Sequence, residues 1–125
     1  MDENEISHAI IGAAIEVHRV LGPGLLESVY EGALSFELRG KGFNIQQQQE
    51  LPVKYKGVDL HGSFRMDLLV NELVIVEIKA VERLQPIHEA QLLTYLKLAN
   101  KKLGLLLNFN STTIRTSVRR VVNNL

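Results

Sequence analysis

The chain has 125 residues, 46% hydrophobic and 22% charged, with 14 Lys and Arg balanced by 14 Asp and Glu. This length suits one ordinary domain covering residues 1–125, and the near-average composition favours neither disorder nor a fibrous repeat. Charge balance argues against a protein that coats nucleic acid through bulk basicity, so any phosphate site must be local. The absence of cysteine excludes disulfides and thiolate metal sites and fits a reducing, cytoplasmic setting.

The acidic start, Met1 to Glu5, and the polar residues between the first apolar positions give neither a signal peptide nor a membrane span. From Asn4 to Leu21, Ile6, Ile10, Ala13, Ala14 and Val17 recur at three- and four-residue spacing, which predicts an amphipathic helix. Gly22-Pro23-Gly24 breaks it. A second helical pattern runs through Leu26, Val29, Tyr30, Ala33, Leu34 and Leu38, and Gly40 and Gly42 end it.

An extended stretch from Asn44 to Tyr55, with a polar run at Gln46 to Gln49, leads through a Lys56-Gly57 turn into a second strand, Val58 to Val70, interrupted near Gly62. After Asn71-Glu72, Leu73 to Lys79 reads as a central strand buried on both faces. Pro86 suits the first turn of a helix that Ile87, Ala90, Leu93, Tyr95, Leu96 and Ala99 carry to about Asn100. Leu103 to Phe109 is another apolar strand, and periodicity leaves the tail from Ile114 to Leu125 open between helix and strand. The order predicts a mixed α/β sheet flanked by helices, α-α-β-β-β-α-β.

Asp67, Glu77 and Lys79 interrupt strands that are otherwise among the most apolar of the chain. Each ionised group in such an interior costs several kcal/mol, by order of magnitude, unless an opposite charge or an ion compensates it. Strand alternation points Glu77 and Lys79 to one face, roughly 6 to 7 Å apart. A two-residue turn at Asn71-Glu72 would place Asp67 on the opposite face from Glu77, so convergence requires an odd loop, such as Asn71 to Leu73, or a bulge. Converging carboxylates, with the Ile78 carbonyl as a third donor, would suit Mg²⁺ or Mn²⁺ at a phosphate, and Lys79 would position the nucleophile or stabilise developing charge. A structural Glu77–Lys79 or Asp67–Lys79 ion pair accounts for the same spacing.

Asp67, nine residues, then Glu77-Ile78-Lys79, followed by a helix and a strand, resembles the PD-(D/E)XK nuclease superfamily. Gln91-Leu-Leu-Thr-Tyr95 resembles the Q-x-x-x-Y motif of its RecB-like branch. Gly22-Pro-Gly-Leu-Leu-Glu-Ser-Val-Tyr30, Glu37-Leu-Arg-Gly-Lys-Gly42 and Val76-Glu-Ile-Lys-Ala80 together look like the small prokaryotic GxxExxR family, across nearly the whole chain. The motif reads Gly24, Glu27 and Tyr30 here, leaving its final Arg unmatched, and Met66 stands where the superfamily has proline.

The resemblance implies a restriction-endonuclease-like core and a Mg²⁺- or Mn²⁺-dependent nuclease with Asp67 and Glu77 as metal ligands, Glu27 completing the site and Lys79 catalytic. It implies that Gln91 and Tyr95, one helical turn apart, contact the substrate or support the metal ligands. The expected partner is nucleic acid, DNA ahead of RNA, with no membrane and with a homodimer compatible with the small size. A catalytically inactive nucleic-acid-binding or protein-interaction module on the same core is the alternative. The histidines, His8, His18, His61 and His88, show no metal-like spacing. Arg115, Arg119, Arg120, Lys101 and Lys102 are candidate phosphate contacts whose usual meaning is a solvated face.

Overall fold

The structure, a computed structural model, describes residues 1–60 and 64–125. Helix α1, Glu3–Leu21, starts on a capping box in which the Asp2 carboxylate accepts from the Glu5 amide (2.8 Å) and the Glu5 carboxylate from the Asp2 amide (3.2 Å). Gly22 and Gly24 take φ of 68° and 98°, values that favour glycine, and turn the chain into α2, Glu27–Gly40. Tyr30 holds that turn from inside: its hydroxyl donates to the Gly22 carbonyl (2.6 Å) and accepts from the Leu25 amide (3.1 Å), while its ring stacks on Phe109.

Strand β1, Ile45–Leu51, is followed by a small hairpin of β2, Lys54–Tyr55, and β3, Val58–Asp59, and then by β4, Phe64–Val70. The single strand expected over Val58 to Val70 is therefore a hairpin arm and a separate sheet strand; the interruption expected near Gly62, and His61, lie outside the described residues. Strand β5, Val74–Lys79, α3, Pro86–Ala99, and β6, Leu103–Asn108, match the expected elements. The tail resolves into a short 3-10 turn, Ile114–Ser117, and β7, Val118–Val122.

The main sheet runs β1-β4-β5-β6-β7, with β5 and β6 parallel and the other neighbours antiparallel. Helices α1 and α2 cover one face around Ile10, Leu34, Val76, Leu105 and Phe109. Helix α3 covers the other around Leu92, Leu96, Ile75 and Leu106. Strands β5 and β6 are buried on both faces because each face carries a helix layer, hence their unbroken apolar sequence. Helix α3 sits close over Gly104, where an added Cβ would stand 2.8 Å from Leu92 Cδ1. Gly104→Ala should therefore destabilise the protein by about 1–3 kcal/mol in a denaturant titration, and Leu92→Ala in the same chain should recover little, since it leaves a buried cavity.

Candidate active site

The connection between β4 and β5 decides which carboxylates meet. It contains Asn71, Glu72 and Leu73, and the strand register pairs Val70 with Val74, Leu69 with Ile75 and Leu68 with Val76. One further step brings Asp67 opposite Glu77. Both Asn71 (φ 51°) and Glu72 (φ 60°) are left-handed, and Leu73 donates back to the Val70 carbonyl (3.0 Å). Asn71 is pinned to the start of β1: its side-chain oxygen accepts from the Asn44 amide and its own amide donates to the Asn44 carbonyl, both at 2.8 Å. The odd loop required for the two carboxylates to converge is present.

Beyond Leu68 and Val76 the two strands exchange backbone for side-chain hydrogen bonds. The Asp67 amide donates to Glu77 Oε2 and the Ile78 amide to Asp67 Oδ2, each at 2.8 Å. Each carboxylate thus occupies the gap its partner strand leaves. The gap has a second cause on the other side of β4. Gln48, opposite Asp67, takes φ of 52°, and the pleat reverses there in both strands. Ile45 and Leu51, six residues apart, lie on opposite faces, as do Met66 and Leu68, although even spacing in a regular strand keeps one face. The Gln48 amide bridges Asp67 Oδ1 (3.1 Å) to Glu31 Oε1 (2.6 Å), and Gln47 also donates to Glu31.

Electrostatics at this point are unusual. Glu77 is buried, and burial first and the charge of Asp67 second push its carboxyl up to about 8, with Glu31 contributing in the same direction. Asp67 and Lys79 are half-buried and retain access to solvent. Lys79 forms no ion pair among the described residues, so the structural pairing of Lys79 with Asp67 or Glu77 is not formed. Asn108, buried beside Lys79 in the parallel register, accepts from the Val81 amide (3.1 Å) and donates to the Val81 carbonyl (2.9 Å), securing the backbone just past the lysine.

Glu27 stands at the start of α2 and accepts from the Ala80 amide (3.2 Å), at the end of β5 rather than between the two carboxylates. Glu31, one turn later on the same face, is the residue of α2 that reaches Asp67, through Gln48. Tyr95 is buried on α3 with its ring edge-on to Phe64, and burial followed by the charges of Glu77 and Asp67 raises its hydroxyl. Gln91 is exposed one turn earlier. His88 serves the start of α3, accepting from the Gln85 amide (2.9 Å). Among the basic candidates, Arg119 pairs with Glu89 and Arg120 donates to Asn4, while Arg115 and Lys102 are exposed.

Among the described residues no three His, Cys, Asp or Glu side chains converge as a metal-holding group. The protein donors available to an ion are the Asp67 and Glu77 carboxylates and the Ile78 carbonyl, a sparse oxygen set that suits a hydrated Mg²⁺-like cation. The donor set fits such an ion: two carboxylates crowd one another, and a divalent charge between them would remove the repulsion that helps keep Glu77 protonated.

An α/β sheet whose central strands part around facing carboxylates, with a lysine two residues beyond one of them, places the protein among nuclease-like folds. The chain belongs to the PD-(D/E)XK nuclease superfamily, whose family profile matches residues 4–121. No curated protein and no solved structure matches it.

The raised Glu77 carboxyl has a measurable sign. Unfolding releases it to its ordinary value of 4.5, so its contribution is fully present below pH 4.5 and is lost as pH rises towards about 8. In metal-free buffer, stability should decline across that window at up to about 1.4 kcal/mol per pH unit for this single group. Glu77→Gln, which keeps an acceptor for the Asp67 amide, should flatten the decline; chemical denaturation midpoints across the window read the difference.

Proposed function

We propose that the protein is a metal-dependent nuclease that hydrolyses phosphodiester bonds of nucleic acid, DNA by preference, with its reacting centre at Asp67, Glu77 and Lys79. The observation that carries this reading is the meeting of Asp67 and Glu77 in the gap between β4 and β5. PD-(D/E)XK proteins are typically nucleases that use divalent metals. Asp67, Glu77 and the Ile78 carbonyl would hold Mg²⁺ or Mn²⁺, which supplies charge neutralisation at the phosphoryl oxygens and a more acidic water.

The backbone bonds from Asp67 and Ile78 fix both carboxylates before substrate arrives, so little reorganisation is needed on binding. Lys79, two residues before the Val81 backbone that Asn108 secures and free of a carboxylate partner among the described residues, presents its ammonium to the attacking water or to the charge that builds on phosphate. Glu27 and the Glu31–Gln48 bridge orient the carboxylates and the end of β5. Gln91 and Tyr95 lie on the α3 side and meet the substrate. The Gly24–Glu27–Tyr30 motif and the Gln91-x-x-x-Tyr95 spacing support placement in the GxxExxR family and near the RecB-like branch. The lack of cysteine supports a cytoplasmic setting, no helix among the described residues is long and apolar enough to cross a membrane, and one domain of this size is compatible with a homodimer.

A binding-only module on the same core is favoured by one observation: the Glu77 carboxyl, pushed up to about 8, is mostly protonated at neutral pH. Calorimetric Mn²⁺ titration separates the two readings. The nuclease should bind Mn²⁺ more tightly as pH rises towards 8 and release up to about one proton at pH 7; Glu77→Gln should abolish the proton release, and Asp67→Asn should weaken the binding. With Mn²⁺, wild type should cleave DNA, and Lys79→Ala should lower the rate about a hundredfold or more while its circular dichroism and melting curve stay unchanged. Cleavage indifferent to Lys79→Ala would overturn the mechanism.

A further inference from the structure

The α3 side of the site carries a feature that neither metal binding nor the catalytic lysine uses. Phe64, Ile87, Ala90, Gln91, Thr94 and Tyr95 line a shallow depression of about 300 Å³. None of the six bears a charge at neutral pH. Ile87 is 68% exposed at its edge, although it is an isoleucine in the first turn of a helix, and the Phe64 ring meets Tyr95 edge-on with centroids 5.4 Å apart. The depression lies about one nucleotide's reach from the carboxylates: Phe64 lies three residues before Asp67 on β4, roughly 10 Å by strand rise, and Tyr95 senses the charges of both Asp67 and Glu77.

We propose that this depression receives an unstacked nucleobase of a single-stranded DNA segment whose neighbouring phosphodiester lies at Asp67 and Glu77. The assignment rests on the nuclease reading and narrows its substrate to strands with unpaired bases. A neutral, partly aromatic hollow is suited to the flat apolar face of a base, and its six lining residues include no cationic side chain of the kind that most strongly holds a phosphate. Gln91 contributes an amide that both donates and accepts, matching the mixed edge of a base. The Thr94 hydroxyl spends its proton on the Ala90 carbonyl (3.1 Å) and so presents lone pairs. Inside a duplex the base faces are already stacked, and entry would require the base to be flipped out at a cost of a few kcal/mol. The balanced net charge points the same way, since it gives weak purchase on the dense phosphate array of a duplex.

The test uses the full chain carrying Lys79→Ala, so that binding is measured without cleavage, in Mn²⁺ buffer. The probes are a short single-stranded DNA with a fluorescent adenine analogue, the same strand with an abasic site, and its duplex. The single strand should bind on the order of tenfold more tightly than the duplex or the abasic strand, with quenching of the fluorescent base. Ile87→Asp, placed where a helix N-terminus tolerates an acid, should remove that preference and the quenching while leaving Mn²⁺ affinity unchanged; Ile87→Ala, which cannot disturb folding through charge, should give a smaller loss of the same kind. Equal affinity for intact and abasic strands, or full binding by Ile87→Asp, would overturn the base site. Wild-type cleavage of single strand and duplex keeps the two proposals apart. Cleavage that ignores strandedness sinks the base site and leaves the nuclease standing, whereas loss of both cleavage and nucleic-acid binding overturns both.

Discussion

The site depends on a parity constraint. Side chains alternate along a strand, so the number of residues connecting β4 to β5 sets whether Asp67 and Glu77 share a face or lie on opposite ones. Three residues are used, two of them in left-handed conformations, and Asn71 locks the loop to Asn44 at the entry to β1. The same register that aligns Val70, Leu69 and Leu68 with their partners in the core therefore also delivers the acids to each other. Core packing enforces it, because a one-residue slip would turn either Leu68 and Val70 or Val74 and Val76 away from α1 and α2.

Convergence alone would leave two repelling carboxylates and several unpaired backbone groups at the end of a sheet. The reciprocal bonds resolve the second problem and ease the first, since the Asp67 and Ile78 amides that lack a ladder partner are satisfied by the carboxylates themselves. The remaining cost falls on Glu77, which burial and the neighbouring charge hold in its protonated form near neutral pH. The backbone donors already hold both carboxylates in place, so a divalent cation of the kind proposed above would take the place of the proton on Glu77. Helix α2 is drawn into the same construction through the Tyr30 clasp on the Gly22–Leu25 turn, which sets where Glu27 and Glu31 emerge.

Much of the architecture was legible in the residues. The three long helices and strands β5 and β6 followed from apolar periodicity, and the charged interruptions at Asp67, Glu77 and Lys79 stood out because those strands had little other polarity. The Lys56-Gly57 turn was legible, but the separation of the short arms Lys54–Tyr55 and Val58–Asp59 from the longer strands was not, nor was the final strand: short edge elements have weak patterns, and their pairing depends on what they lie against. Glu31 had a signal, being one helical turn from Glu27, and Asn108 had one as a polar residue ending an apolar run. Gln48 had none, since a run of four glutamines does not reveal which of them takes a left-handed backbone.

The sequence by itself determined most of the element types, the layering of helices on a mixed sheet and the charged residues, Asp67, Glu77 and Lys79, that stand out in apolar strands, because periodicity and the cost of buried charge are local properties of the chain. It also determined that the loop at Asn71 had to be odd if the carboxylates were to meet. Only the tertiary structure decided that it is odd, that Glu31 rather than Glu27 reaches Asp67 through Gln48, and that Lys79 lacks a structural ion-pair partner among the described residues. Those outcomes are set by backbone conformations at Gln48, Asn71 and Glu72 and by the register of strands distant in sequence, where packing on both faces selects among alternatives that local preference leaves nearly equal.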